Sequence, residues 1–134
     1  GRGLAVGDFD NDGDSDLLLM NVGQPPVLLR NEGGNKNHWL GIRLVGTKSN
    51  RDGIGAKVIL TAAGRRRTKQ RLGGASYLSA SDPRLLLGLG ASARIEEVEV
   101  RWPSGQVSTI KNVSADQYLT IKESAANSKV PLPK

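Results

Sequence analysis

Short apolar runs separated by turn residues occur along most of the chain, and the clearest of them alternates between apolar and polar positions. Residues 97–102 read Glu-Val-Glu-Val-Arg-Trp, so their apolar side chains fall on one face and their charged side chains on the other. Such alternation predicts a half-buried β-strand. The Pro103-Ser104-Gly105 turn that follows predicts a hairpin with a partner strand over 107–111. The 17 glycines indicate many tight turns, and long apolar runs at helical period are missing. We therefore predict an all-β protein.

The residue pattern changes near residue 35, and we interpret the chain as two structural units followed by a tail. Residues 1–34 are predicted to form strand, loop, strand, turn and strand, from the apolar stretches at 4–6, 17–20 and 27–30. Residues 35–123 predict a sandwich or barrel-like β domain, in which the only candidate for a helix is a short segment near 114–117. Residues 124–134 are polar and contain two prolines, which predicts a flexible tail. Because the chain opens without Met inside a predicted strand, we expect a processed product or a piece of a longer precursor.

Residues 8–16 read Asp-Phe-Asp-Asn-Asp-Gly-Asp-Ser-Asp and predict a calcium-binding loop. Calcium takes about six to eight oxygen ligands, and acidic side chains at alternate positions of a tight loop can converge on one point. Gly13 permits the sharp turn that this convergence needs. The predicted metal ligands are the aspartates of the loop: Asp8, Asp10, Asp12, Asp16 and, through its backbone carbonyl, Asp14. Leu19 stands where an EF-hand needs a bidentate Glu, so the loop is not an EF-hand. Magnesium is a weaker candidate, because it demands a small octahedral shell.

The overall composition excludes several classes of function. The chain has no cysteine, which excludes disulfides and Cys-based metal or redox sites. It has one histidine, His38, and no serine in a nucleophile motif, so we predict that it is not an enzyme. No stretch approaches the roughly 20 apolar residues of a membrane span.

The net charge of +6 is unevenly distributed along the chain. Residues 1–32 hold two basic and six acidic residues, whereas residues 33–134 hold 17 basic and seven acidic ones. The densest basic run, residues 65–71, would place four cations on one face of a strand: Arg65, Arg67, Lys69 and Arg71. This face is either a patch for anionic polysaccharide or nucleic acid, or a solvated edge whose charges block strand pairing. We favour the solvated edge, and nucleic acid less than polysaccharide, because few aromatic residues interleave the charges.

The chain resembles two known sequence families, one in each unit. Residues 7–17 resemble the calcium loop of an FG-GAP/VCBS repeat, which forms one blade of an integrin-α-like β-propeller. The second unit resembles an ASPIC/UnbV domain, which commonly follows such repeats, in these segments: 37–40, 52–56, 73–79, 87–90 and 101–105. The resemblance covers residues 3–122 and implies an extracellular or periplasmic protein with adhesion or scaffold roles and without catalytic activity. One departure is that a propeller needs several blades, whereas this chain contains one repeat.

These patterns together predict a non-enzymatic, calcium-stabilised extracellular structural or adhesion module, with a periplasmic location as the alternative. Leu17–Met20 is a fully apolar strand that suits cover on both faces, so we expect partners: further copies of this chain, in a ring or filament, or another protein chain. The alternatives are a binding module for anionic polysaccharide or nucleic acid that uses residues 65–71, and a non-catalytic fragment of a larger secreted enzyme.

Overall fold

The computed structural model describes residues 3–32, 37–73 and 82–124, and every regular element in these ranges is a β-strand. The strands are β1 (Gly3–Gly7), β2 (Asp16–Met20), β3 (Val27–Leu29), β4 (His38–Val45), β5 (Lys57–Ala62), β6 (Arg65–Gln70), β7 (Leu85–Gly90), β8 (Arg94–Arg101), β9 (Val107–Ser114) and β10 (Gln117–Lys122). The prediction of an all-β protein is confirmed.

The strands form three sheets. The first sheet is antiparallel, in the order β1-β2-β3, and contains the acidic loop between β1 and β2. The second has the order β10-β4-β7, with β10 parallel to β4 and β7 antiparallel to it. The third is antiparallel, in the order β6-β5-β8-β9, so β6 is an edge strand.

The hydrophobic core lies between the second and third sheets, which form a β-sandwich. Alternate residues of β4 and β10 on one side, such as Ile42 and Leu119, and of β5 and β8 on the other, such as Leu60 and Val98, are fully buried in one cluster. Because side chains alternate across a strand, the neighbouring residues of β4 and β10 point to the outer face of the second sheet. That outer face is where the acidic loop docks.

The β1-β2-β3 sheet exposes apolar side chains on both faces. Leu18 pairs with Leu28 on one face, and these residues are 39% and 40% exposed. Leu29 pairs with Leu17 on the other face and is 46% exposed. In β2, which was predicted to be covered on both faces, Leu18 and Met20 are exposed and Leu17 and Leu19 are half-buried.

Two details of the sequence-based prediction are wrong. No helix forms near 114–117, because β9 continues to Ser114 and the chain reverses through Ala115 and Asp116, whose φ is +62°. The barrel-like alternative also fails, since the described strands form open sheets and no closed barrel. The predicted tail beyond residue 124, and residues 74–79 of the family resemblance, lie outside the described residues. Among the residues that the structure describes, none lies in a helix with the length and apolarity needed to span a lipid bilayer.

Candidate metal centre

The acidic loop is a tight connection between the antiparallel strands β1 and β2, which pair from Gly3–Met20 to Gly7–Asp16. Gly13 has a φ of +92°, a conformation that side chains with a Cβ rarely adopt, and Asn11 has a φ of +60°. The backbone N–H groups of Asp12 and Gly13 donate to Oδ1 and Oδ2 of Asp8, at 3.0 and 2.8 Å. The Asp8 side chain therefore folds the loop as well as contributing charge to it.

Three of the five predicted ligands converge on one point. One carboxylate oxygen from each of Asp8, Asp10 and Asp16 lies within 4.8 Å of the other two. Opposed oxygens around a calcium ion are separated by at most about 5 Å, twice the usual Ca–O distance. The spacing of this oxygen-only donor set therefore fits calcium. Asp8 and Asp16 are 3% and 2% exposed, whereas Asp10 is exposed to solvent.

Hydrogen bonds leave a defined part of each carboxylate free for a cation. Oδ2 of Asp16 accepts the N–H of Phe9 at 2.9 Å, and Oδ1 accepts the N–H of Asn31 at 2.8 Å. Oδ2 of Asp10 accepts from Nη2 of Arg30 at 2.6 Å. An ionised carboxylate offers about four lone-pair sites, so both residues retain acceptor capacity after these bonds.

The carboxylates of Asp12 and Asp14 are not part of this group of three, and Asp14 was predicted to contribute only its backbone carbonyl. Asp12 stands outside the group of three, and its Oδ1 accepts the N–H of Asp14 at 2.9 Å. Although this hydrogen bond lowers the pKa of Asp12, burial and repulsion from neighbouring carboxylates raise it above its usual value. Asp14 is 5% exposed, and its Oδ2 has no hydrogen-bond partner. A buried carboxylate oxygen without a partner is costly unless a cation or water satisfies it.

The sandwich contributes contacts to the loop that the sequence did not reveal. The Tyr118 hydroxyl donates to Oδ2 of Asp8 at 2.6 Å, and Nη2 of Arg84 donates to the Asp8 carbonyl at 2.8 Å. Asp82 in turn holds Arg84: its Oδ2 accepts from Nη2 of Arg84 at 2.7 Å, and its backbone N–H donates to the Val6 carbonyl at 2.8 Å. Burial and the bond to Asp8 raise the pKa of Tyr118 well above its usual range, so the phenol stays protonated and acts as a donor.

Aromatic packing completes the contact between the loop and the sandwich. Trp39 and Tyr118 lie on the outer face of the second sheet, with ring centroids 5.1 Å apart. A Cβ added at Gly13 would lie 2.2 Å from Nε1 of Trp39, and a Cβ added at Gly41 would lie 2.0 Å from the Tyr118 ring. Both glycines therefore allow close approach, and Gly13 is needed for this contact as well as for the turn.

The predicted basic face lies on β6, far from the loop aspartates in sequence. Arg65, Arg67 and Lys69 pair with Ala62, Leu60 and Val58, which point to the core, so the three cations share one face of the sheet. Nζ of Lys69 donates to the Leu86 carbonyl at 2.8 Å, and burial lowers its pKa.

Arg71 follows the end of β6 rather than belonging to the strand. Its side chain contacts the Leu72 carbonyl, and its Nε is buried without a hydrogen-bond partner. The Arg71 side chain is therefore partly buried, whereas the alternation of residues 65–71 predicted that it would lie on the same exposed face as Arg65, Arg67 and Lys69.

Comparison with known proteins agrees with the predicted ASPIC/UnbV resemblance. A family model described as ASPIC and UnbV matches residues 46–128. Cartilage acidic protein 1 of Xenopus tropicalis is 36% identical over 113 residues, which cover 81% of this chain and 17% of the relative. Cartilage acidic protein 1 of Homo sapiens is 33% identical over 127 residues, which cover 92% of this chain and 19% of the relative. The chain thus spans about a fifth of the length of the curated relatives that it matches. Because the family match extends over more than half of the chain, the protein belongs to the ASPIC and UnbV family.

Proposed function

We propose that this chain is a non-enzymatic, calcium-stabilised extracellular module that works within a larger assembly. The observation that carries the proposal is the convergence of one oxygen each from Asp8, Asp10 and Asp16 within 4.8 Å. In the same loop, the buried Oδ2 of Asp14 has no hydrogen-bond partner. We also propose that residues 3–32 are one FG-GAP/VCBS-like repeat, because their acidic loop joins two antiparallel strands of a small sheet.

Calcium would act on this loop as a structural cation. Five carboxylates within nine residues repel one another. The hydrogen bond from the Asp14 N–H lowers the pKa of Asp12, but burial and then repulsion from neighbouring carboxylates raise it above its usual value. A site of this kind in an extracellular module binds calcium with a Kd on the order of 10⁻⁴–10⁻³ M. At about 10 mM calcium, such binding stabilises the folded state by roughly 1.4–2.7 kcal/mol through mass action.

Isothermal titration calorimetry on the complete chain tests the metal site. Asp10→Ala removes a converging carboxylate that makes no backbone hydrogen bond in the described structure, so the loop should keep its shape while calcium affinity falls at least about tenfold. Asp52→Ala is the matched control, because Asp52 is an exposed aspartate in a turn of the sandwich. The absence of calcium heat with the wild type, or equal affinities for wild type and Asp10→Ala, would refute the metal site.

The assembly part of the proposal rests on the β1-β2-β3 sheet. Both faces of this sheet expose leucine or valine, and among the described strands β1 and β3 are its edges, with the Val6 carbonyl of β1 accepting the N–H of Asp82 at 2.8 Å. Exposed apolar strands with free edges pair readily with another chain or sheet. We propose that a second copy of this chain or another β-rich chain covers the sheet, and that calcium favours this contact by ordering the loop between β1 and β2. Light scattering with calcium and with chelator tests it, and a monodisperse monomer in both conditions at high concentration would refute it.

The extracellular setting is supported from two directions. Free calcium in the range that this loop needs occurs outside cells, where modest-affinity calcium modules work. The curated relatives carry a name that refers to cartilage and names no enzymatic activity. Immunodetection of the full-length protein in the extracellular fraction of the source cells tests this setting, with cytosolic retention as the contrary result.

A second candidate function is binding of an anionic polysaccharide along β6. Among the described residues, Arg65, Arg66 and Arg67 form no salt bridge, although they are consecutive and exposed on an edge strand. Binding to a sulfated polysaccharide should weaken as salt rises and be lost in Arg65→Ser/Arg67→Ser. Arg43→Ser/Lys122→Ser removes the same charge from the opposite sheet and is the control. An equal loss of polysaccharide binding in both double variants would mean that binding depends on net charge and not on β6.

A further inference from the structure

The carboxylate of Asp8 is oriented by three hydrogen bonds, one of which comes from the sandwich. Oδ1 accepts the N–H of Asp12, while Oδ2 accepts the N–H of Gly13 at 2.8 Å and the Tyr118 hydroxyl at 2.6 Å. Each carboxylate oxygen offers about two lone-pair sites. Both sites of Oδ2 are therefore used, and one site of Oδ1 remains. The hydroxyl of Tyr118 decides which oxygen of Asp8 is left to face a cation.

The Tyr118 ring is held so that its hydroxyl cannot swing away from Asp8. Gly41 lies directly beneath the ring, where any Cβ would approach it to 2.0 Å. The guanidinium of Arg84 lies 4.1 Å from the ring centroid, and the Trp39 ring is tilted at 59° with its centroid 5.1 Å away. A ring fixed by packing on several sides positions its hydrogen bond without further loss of side-chain freedom.

Arg84 ties the same loop to the sandwich at two further points. Its Nη2 donates to the Asp8 carbonyl at 2.8 Å, and its Nη1 donates to Oδ1 of Asn11 at 2.6 Å. Its Nε contacts both oxygens of Asp82 at 3.0 and 3.1 Å, which fixes the plane of the guanidinium. Side chains of the sandwich, which is far from the loop in sequence, therefore hold the loop in place through hydrogen bonds.

We propose that Tyr118 is a positioning residue of the calcium site, and that calcium binding is thereby coupled to docking of the acidic loop on the outer face of the β10-β4-β7 sheet. The inference rests on the proposed calcium function and adds that the sandwich builds the outer shell of the site. Groups that orient metal ligands through hydrogen bonds typically contribute about 10–100-fold to metal affinity. Coupling between binding and docking is reciprocal, so calcium should also tighten the contact between Gly13 and Trp39.

Trp39 provides a reporter for this coupling. Its indole Nε1 lies 2.2 Å from the position that a Gly13 Cβ would take, so movement of the loop changes the environment of the ring. The other tryptophan, Trp102, is 3% exposed in the core and donates to Oγ of Ser108 at 2.9 Å. In a Trp102→Phe background, the emission of Trp39 should shift when the complete chain is titrated with calcium chloride.

The decisive experiment compares Tyr118→Phe with Thr120→Val by calcium calorimetry and by Trp39 emission in the Trp102→Phe background. Tyr118→Phe removes only the hydroxyl and should weaken calcium binding about 10–100-fold, with a smaller emission shift at a given calcium concentration. Thr120→Val removes a hydroxyl from an exposed position two residues along β10 and should change neither readout. Circular dichroism in chelator establishes that each variant is folded before titration, and Tyr118→Leu serves as a second variant that also lacks the hydroxyl.

The outcomes separate the two proposals. If the wild type binds no calcium, the calcium function itself fails and the coupling fails with it. If the wild type binds calcium and Tyr118→Phe binds within about threefold of it, the metal site stands and the positioning role of Tyr118 is wrong. If Tyr118→Phe binds calcium more weakly but its Trp39 emission shift on calcium addition equals that of the wild type, the coupling to docking is refuted.

Discussion

Glu123 is the most completely hydrogen-bonded acidic side chain in the described structure, and its replacement gives the sharpest test of how the sandwich is held together. Its carboxylate is 2% exposed. Oε2 accepts the N–H groups of Thr47, Lys48 and Ser49 at 2.8, 3.0 and 2.8 Å. Oε1 accepts the hydroxyl of Ser49 at 3.0 Å and the hydroxyl of Ser104. One carboxylate thus joins the loop after β4 to the hairpin between β8 and β9.

Glu123→Gln keeps the shape of this side chain but removes the charge and one acceptor. Hydrogen bonds to charged groups contribute about 1.5–3 kcal/mol each, against about 1 kcal/mol for neutral ones. The Gln oxygen can still accept the backbone N–H groups, and the two serine hydroxyls can turn their hydrogens away and accept from the amide NH2 group, so the expected loss is about 2–3 kcal/mol in total. For a chain of this size that loss corresponds to a decrease in Tm of roughly 8–15 °C.

The same side chain predicts a specific dependence on pH. Burial by itself raises the pKa of Glu123, but the hydrogen bonds from Ser104, Ser49 and Thr47 outweigh it and lower the pKa to about 2. The usual value is 4.5, so as the pH falls the unfolded chain takes up the proton first. The stabilisation is therefore complete above the unfolded pKa and is lost as the pH falls from about 4.5 towards 2.

Thermal unfolding followed by circular dichroism, without calcium, measures both effects. The Tm gap between wild type and Glu123→Gln should be largest near pH 7 and should shrink to about half or less at pH 3. Glu32→Gln is the control, because the Glu32 side chain is 72% exposed and surface changes shift stability by no more than about 0.5 kcal/mol. A gap that does not depend on pH, or a Glu123→Gln variant as stable as wild type at pH 7, would show that this network does not support the fold.

Three glycine replacements, one of them a control, probe the docking of the loop. Gly13→Ala should weaken calcium binding and lower Tm more than Gly23→Ala, because both positions have positive φ but only Gly13 faces a neighbour, Nε1 of Trp39 at 2.2 Å from an added Cβ. Calorimetry and melting curves compare them, and equal effects would mean that backbone strain alone is responsible. Gly41→Ala should displace the Tyr118 ring and reduce calcium affinity while the sandwich stays folded in chelator, as judged by its near-UV circular dichroism. Unchanged affinity would mean that the ring position is irrelevant to the site.

The sequence predicted the fold class and the position of the acidic loop because both are local signals. Strand alternation repeats every two residues, and the loop aspartates are adjacent, so their convergence follows from one tight turn. The role of Asp12 is less simple than its position suggested, because its Oδ1 accepts the N–H of Asp14 in a local turn. Such side-chain to backbone bonds compete with outward ligation and depend on the exact path of the chain.

The contacts that complete the site could not be predicted, because they join residues far apart in sequence. Tyr118 and Asp8 are 110 positions apart, and Arg84 and Asn11 are 73 apart. Neither Tyr118 nor Arg84 belongs to a motif, and a lone tyrosine or arginine on a strand is ordinarily a surface residue. The role of Glu123 was not predictable from the sequence either, because its carboxylate bonds to two loops that only the sheet topology brings together. Tyr118 and Arg84 could have been identified only if the sheet face that contacts the loop had been known.

The way the two units meet indicates what calcium can control in this protein. The contacts between the loop and the sandwich are made by polar groups of Asp8, Asn11 and Arg84 and by aromatic rings, whereas Leu18 and Leu28 of the β1-β2-β3 sheet remain outside the core. Among the described residues, polar and aromatic groups rather than these exposed leucines therefore join the loop to the sandwich. If repulsion among the loop carboxylates loosens the polar contact, the sheet loses its orientation while the sandwich core stays intact. Under the proposed function, a cation that removes the repulsion would orient the exposed apolar sheet relative to the sandwich, and we propose that a partner recognises this orientation. Calcium would then act on assembly through the polar contact at Asp8.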